Sequence, residues 1–162
     1  MNPGPWRWET LHPLVVHFPV ALLLVAPWLT LPAFCLRPRR ARPYLLAALA
    51  LLAVATLAAG LAAATGAAAA ATVLLPAGGE ELLARHTALG RLVPAGAGAL
   101  TAGLIALLVR FGRRPVPRPA WRRTALAAWL VLALAVAILV AATGGAGGRL
   151  VHELGVRAAA GG

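Results

Sequence analysis

The first long apolar run of the chain opens with two histidines and two prolines. They stand in the stretch His-Pro-x-x-Val-His-Phe-Pro, which begins at His12 and ends at Pro19. An ionisable ring at a bilayer boundary needs a partner, and ionisable groups in membrane segments are candidates for function. Proline in a helix frees backbone carbonyls that a ligand, a water or a neighbouring helix must satisfy. The stretch is therefore the first candidate site.

Two imidazoles on facing helices suggest a b-type haem. Ligation by two histidines leaves no open coordination position, which suits an electron carrier, and helical bundles project facing side chains toward such a group. The candidate axial ligands are His12, His17 and His86. Haem propionates near a membrane surface would need cations. The candidates for that role are Arg85, Arg91 and Arg149.

Each of these histidines also has a purely structural interpretation, so a cofactor-free structural or assembly subunit stays as the alternative. His12 could cap the first helical turn, with Pro13 in its favoured first position. His17 could bond the carbonyls that Pro19 leaves unpaired. His86 could be solvated in the headgroup layer.

A metal or quinone site without haem is a third alternative. The histidines together with Glu80, Glu81 or Glu153 could bind zinc, which takes three or four ligands. His12 and His17 lie five residues apart, so their side chains point about 140° apart on a helix, which is not a standard ligand spacing. A quinone needs an apolar cleft and one or two hydrogen-bond donors.

The residues that most catalytic sites use are missing, so the chain is expected not to be an enzyme. It has no serine and no aspartate, and its only cysteine is Cys35. A single cysteine excludes an internal disulfide and a thioether-linked c-type haem. Cys35 is expected near the membrane face opposite to the histidines, which separates it from any Cys–His chemistry.

The composition is that of an integral membrane protein. Of the 162 residues, 61% are hydrophobic and only 12% are charged, with a mean hydropathy of +0.84. Ordinary soluble domains have about 25% charged residues. The net charge of +11 comes from arginines that group between apolar runs, mainly at Arg37–Arg42 and Arg110–Arg123. This grouping indicates cytoplasmic loops and gives no indication of a nucleic-acid partner.

Four apolar runs reach the length of about 20 residues that a spanning helix needs. They predict an all-α bundle in one domain, with helices over about 14–36, 44–75, 82–111 and 120–142 and a short tail over 149–162. The fourth helix is expected to end in the glycine-rich stretch Thr143–Gly148. The second run is longer than a membrane requires, so its end could cover a pocket or form a loose loop.

The positive-inside rule places both arginine-rich loops in the cytoplasm. Both termini and every histidine then lie on the outer, periplasmic side of a bacterial inner membrane. Counting outward from these loops at about 1.5 Å per residue places His17 near the outer boundary. His12 and His86 share a level roughly 7 Å further out. The favoured haem pairs are His12 with His86 and His17 with His86. His12 is better matched to His86 in level, whereas His17 is expected to be the better buried histidine of the first helix.

Three stretches follow one another in a distinctive order: the His-Pro stretch at His12, the stretch His-x-x-Leu-Gly at His86, and Gly-Gly-Arg-Leu-Val at residues 147–151. Together they resemble a bacterial family of predicted four-helix membrane proteins, the domain of unknown function DUF2231. The resemblance covers the chain from Leu11 to about Val156. It implies an accessory subunit beside other respiratory or cytochrome-type membrane subunits. Two positions of the closing motif differ, because His152 stands where the family has an aromatic residue and Leu154 stands where it has its last histidine.

The sequence thus predicts a small accessory subunit of membrane electron transfer, surrounded by lipid, with a b-type haem as its candidate cofactor.

Reporter fusions test the predicted topology. A fusion after Arg40 should report a cytoplasmic position, and a fusion after Gly79 a position on the outer side, because arginine-rich loops stay in the cytoplasm. Alkaline phosphatase and fluorescent-protein reporters read the two sides independently. A cytoplasmic signal from the second fusion would contradict the placement of the histidines.

Overall fold

The computed structural model describes residues 11–112 and 119–156. These residues form four long helical elements: α1 (His12–Cys35), α2 (Pro38–Thr72), α3 (Gly79–Gly112) and α4 (Pro119–His152). Each is long and apolar enough to cross a membrane. The described ranges contain no strand. The predicted all-α bundle of four membrane-length helices is confirmed. Part of the predicted C-terminal tail, residues 157–162, lies outside the described residues.

Helix α1 is broken into short segments. The segments are His12–Val15 and His17–Val25 in α-helix, Ala26–Thr30 in 3-10 helix, and Pro32–Cys35 in α-helix again. Prolines at 13, 19, 27 and 32 lie in or at the start of these segments. Proline lacks the N–H that would bond four residues back, so the helix tightens or stops locally. In the 3-10 segment a threonine side chain adds one bond, since the Thr30 hydroxyl donates to Pro27 O at 2.7 Å.

Helix α4 is longer than the sequence suggests. The predicted end at Ala142 is wrong, because the helix continues through the glycine-rich stretch to His152. Two side chains of this extension, Ala146 and Leu150, are buried against the rest of the bundle. Tertiary packing therefore keeps in helix a stretch whose glycines have poor helix propensity.

The four elements pack around a core of leucine and alanine, with chain neighbours side by side. Small residues allow close approach between helices, as is usual in membrane bundles. A Cβ on Gly103 of α3 would lie 3.0 Å from the ring of Trp129 on α4. The Trp129 indole N–H donates to Leu100 O at 2.9 Å. The contact therefore combines a fitted aromatic ring with an interhelical hydrogen bond.

The two ends of the bundle differ in chemistry. One end, here called the histidine end, carries His12 at the start of α1 and His86 near the start of α3. The other, the arginine end, carries the cations of Arg37–Arg42 together with Arg110, Arg122 and Arg123. At this end the Arg122 guanidinium donates to Ala33 O and to Leu36 O. Ala33 lies in the last turn of α1 and Leu36 directly follows it, so neither carbonyl has a partner within the helix.

Replacing Arg122 by alanine should destabilise the bundle. A hydrogen bond from a charged donor is worth about 1.5–3 kcal/mol, and this guanidinium bonds the final turn of a short, proline-interrupted helix. We expect a loss of about 1–3 kcal/mol, measured as a lower unfolding midpoint in detergent. Arg123→Ala is the control, because Arg123 is exposed on the same helix. Equal losses in the two variants would contradict the capping role.

Candidate functional site

The histidine end brings together His12 of α1 and His86 of α3. The centres of the two imidazole rings are 6.4 Å apart, and the ring planes meet at 78°. Both residues are half-buried. They are the pair that counting along the helices places at one level. The two rings come from helices that are not consecutive in the chain, so only the packed bundle makes them neighbours.

The His12 ring is fixed by the second helix. Its Nδ1–H donates to the backbone carbonyl of Ala62 at 3.0 Å, and Thr65 Oγ1 lies 3.3 Å from the same nitrogen. The Thr65 hydroxyl donates to Leu61 O at 3.0 Å and to Ala62 O at 3.1 Å. The Thr65 side chain is buried, so this small polar cluster is held inside the bundle.

The His86 ring is fixed by the fourth helix in the same way. Its Nδ1–H donates to the backbone carbonyl of Thr143 at 3.0 Å. The histidine contact between α1 and α2 is thus of the same kind as the one between α3 and α4. In each case a histidine from one helix reaches a carbonyl in the middle of the next helix.

A glycine makes each of these contacts possible. Gly66 follows Ala62 by four residues, and Gly147 follows Thr143 by four residues. A Cβ on Gly66 would lie 2.8 Å from His12 Cε1, and a Cβ on Gly147 would lie 2.9 Å from His86 Cε1. In a helix the carbonyl of one residue points at the N–H of the fourth residue after it. A side chain there would stand where each imidazole lies.

The hydrogen bonds determine the chemical state of the two rings. A carbonyl only accepts, so each Nδ1 must carry a proton. In a neutral imidazole the other nitrogen, Nε2, then holds a lone pair. A metal-bound histidine has this same arrangement, with the far nitrogen donating to a carbonyl or carboxylate and the near nitrogen on the metal. The bonds given above for both rings all run through Nδ1.

The other two histidines do not join this pair. His17 and His152 are exposed on the surface of the bundle. The expectation that His17 is the better buried histidine of α1 is therefore wrong. His17 follows His12 by five residues, which is about 140° around a helix, so only one of them can face the centre. Of the four histidines expected at one end, two form a pair.

The three candidate propionate partners are all exposed. Arg85 and Arg149 line a surface groove of about 200 Å³ between α3 and α4, with Leu82, Ala142, Gly145 and Ala146. Arg149 also donates from Nε to the carboxylate of Glu153 at 3.0 Å. The groove does not include either histidine of the pair. The assignment of Arg85, Arg91 and Arg149 to haem propionates stays a prediction.

A zinc site of three or four ligands has no support in the part of the chain that the structure describes. Within it, no group of three or more histidine, cysteine, aspartate and glutamate residues comes together. Cys35 is exposed and stands at the arginine end, far along α1 from His12. Of the candidate ligands that the sequence offers, His12 and His86 are the two whose rings lie side by side.

The sequence did not identify the four residues that position the rings: Thr65, Gly66, Thr143 and Gly147. The glycines resemble ordinary packing residues of a membrane bundle, since such bundles have many. One available signal is the recurrence of Ala-Thr-Gly at residues 64–66 and 142–144 in the two helices that follow the histidine-bearing helices.

Comparison with known proteins identifies one family. The model of the family described as "Predicted membrane protein (DUF2231)" matches residues 9–160, which is nearly the whole chain. The family suggested by the three sequence stretches is thereby confirmed. No curated protein and no solved structure matches the chain.

Adding a methyl group at Gly66 or Gly147 should displace the imidazole that packs against that glycine. Gly66→Ala and Gly147→Ala would each place a Cβ within 3 Å of a ring carbon, so the ring must move off its carbonyl. We expect a loss of about 1–3 kcal/mol in unfolding free energy, as for other overpacked sites. The Nδ1–H signal of the affected histidine should also change in ¹⁵N NMR of the labelled ring.

Matched controls exist in the same two helices. Gly60 and Gly144 have open space where a Cβ would go. Gly60→Ala and Gly144→Ala should be neutral or stabilising by up to about 1 kcal/mol, because alanine has the higher helix propensity. Equal destabilisation by all four substitutions would show that Gly66 and Gly147 have no special role.

Proposed function

We propose that this chain, which belongs to the DUF2231 family of predicted membrane proteins, is a small accessory subunit of membrane electron transfer that holds a b-type haem between His12 and His86. The proposal rests on one observation, the geometry of this imidazole pair. Its first ring comes from α1 and its second from α3, and both are anchored by helix carbonyls.

The distance between the rings supports two-sided ligation of one metal ion. A nitrogen ligand lies about 2.0 Å from its metal, and the centre of an imidazole lies roughly 1 Å behind that nitrogen. Two rings on opposite sides of one ion therefore have centres about 6 Å apart. The observed separation is 6.4 Å. The separation of the ring centres is therefore compatible with ligation of one ion between them.

The hydrogen bonds support the same proposal. A donor bond from Nδ1 to a carbonyl fixes the tautomer and the ring orientation, and it makes Nε2 a better ligand. His12 and His86 both have this bond. When bound, a haem supplies one-electron chemistry at its iron. With both histidines holding the iron, no open position would remain for a substrate, so we infer a carrier and not an enzyme.

The proposed setting follows from the spans and from the family resemblance. Four apolar helices indicate a multi-pass membrane protein in contact with lipid. We propose a bacterial inner membrane, with the histidine end on the outer side, because the arginine end carries the cationic loops. The proposed partners are respiratory or cytochrome-type membrane subunits.

A cofactor-free structural or assembly subunit is the second candidate, and a specific observation favours it too. Each Nδ1–H bond joins two helices, and interhelical hydrogen bonds in membranes stabilise by about 0.6–2 kcal/mol. The edge-to-face arrangement of the rings also lies within the range in which aromatic rings attract. In that case the only role of the histidines is to join neighbouring helices by hydrogen bonds.

An absorption spectrum of the gently purified chain, produced with added haem, tests the proposal. We expect the sharp reduced-state bands of a low-spin b-type haem after dithionite. His12→Ala and His86→Ala should each abolish these bands, because each removes one of the two residues that would hold the haem. His17→Ala and His152→Ala are the controls and should retain them, since both residues are exposed.

Stability measured without haem separates the two candidates. Absence of the bands from the haem-supplemented wild-type chain would refute the haem proposal. A drop in unfolding midpoint for His12→Ala and His86→Ala alone, again without bands, would favour the structural subunit. Equal loss of haem from the His17→Ala variant would contradict the assignment of the ligand pair.

A further inference from the structure

We propose that the groove between α3 and α4 at the histidine end binds the phosphate headgroup of an anionic phospholipid through Arg85 and Arg149. The groove is lined by Leu82 and Arg85 of α3 and by Ala142, Gly145, Ala146 and Arg149 of α4. The site is separate from the imidazole pair, and the proposal does not depend on haem.

The groove lies on a different face of α4 from the histidine contacts. His86 bonds Thr143 O and lies against Gly147, and neither of these two residues lines the groove. At 100° per residue, the centre of the groove face is roughly 130° around α4 from the centre of the histidine-contact face. A ligand in the groove is therefore not the group that the imidazoles would hold.

The two guanidiniums give the groove its charge. Arg85 and Arg149 are both exposed, so their N–H groups are available to a ligand from the surroundings. The planar guanidinium suits phosphate oxygens, which it can bind with two parallel hydrogen bonds. Two such groups from adjacent helices make a cationic site at the end of an apolar span, where lipid phosphates are found.

The floor of the groove indicates a lipid over a free phosphate ion. It consists of small apolar residues, Ala142, Gly145 and Ala146, with Leu82 as an apolar wall. A surface of this kind offers nothing to inorganic phosphate, but it leaves room for the glycerol and acyl part of a lipid. Since α4 continues from Ala142 as an apolar helix, an acyl chain can follow it toward the centre of the membrane.

One carboxylate opposes the binding of an anion. Arg149 donates from Nε to both oxygens of Glu153, at 3.1 and 3.0 Å. These contacts use one edge of the guanidinium and leave its terminal nitrogens for a phosphate. Removal of the negative charge at Glu153 should therefore increase the affinity for an anionic lipid, because Arg149 would no longer share its charge.

The test uses the full chain in nanodiscs of phosphatidylcholine with a minority of phosphatidylglycerol. The lipid that stays bound is counted by native mass spectrometry after transfer to detergent. Wild type should enrich phosphatidylglycerol. Arg85→Gln and Arg149→Gln should each reduce this enrichment about fivefold, the effect of one arginine on an anionic lipid. Glu153→Gln should increase it. Arg91→Gln is the matched control, because Arg91 is exposed on α3 but does not line the groove.

Three outcomes would overturn the proposal. An equal reduction in Arg91→Gln would show attraction to general positive charge and not to this groove. Binding of inorganic phosphate by the wild type, with no preference for phosphatidylglycerol, would make the ligand a free anion. Loss of haem bands in Arg85→Gln, with unchanged lipid enrichment, would indicate that the arginines bind haem propionates and not a lipid. Arg85→Lys, which keeps the charge, checks that a loss in Arg85→Gln does not reflect misfolding.

Discussion

An imidazole can donate to a carbonyl in the middle of a helix only where no side chain covers that carbonyl. The side chain that would cover the carbonyl belongs to the residue four positions later. In this protein that residue is Gly66 for the carbonyl of Ala62 and Gly147 for the carbonyl of Thr143. Both histidine contacts depend on this constraint, and the position of each ring follows from it. Because the ring is fixed through Nδ1, its other nitrogen keeps a lone pair in the neutral form. Replacing either glycine would therefore displace the imidazole ring that packs against it.

The same contact occurs twice, and this gives the bundle an approximate internal symmetry. Helices α1 and α3 both start at the histidine end and each contributes one ring. Helices α2 and α4 both run toward that end, and each supplies a carbonyl and a glycine. The two contacts are not identical. Relative to the carbonyl that accepts the hydrogen bond, the Ala-Thr-Gly stretch lies about one turn further along the helix in α2 than in α4.

The number of helices could be predicted from hydropathy, but not all of their ends. Apolar length alone identifies four spans, because a bilayer needs about 20 apolar residues per helix. The end of α4 was mispredicted because glycine usually stops a helix. Here the burial of Ala146 and Leu150 and the contact of Gly147 with His86 keep the stretch helical. Local propensity is a weak guide wherever such tertiary contacts exist.

The sequence by itself determined which residues lie at the same level: the spacing from the arginine-rich loops brings His12 and His86 to one end of the bundle. Only the tertiary structure decided that His12 faces the centre and His17 does not. The physical reason is that helices in lipid are apolar on all sides, so hydropathy specifies their length but not their rotation. Rotation is set by close packing, and here small residues such as Gly66 and Gly147 decide which ring fits.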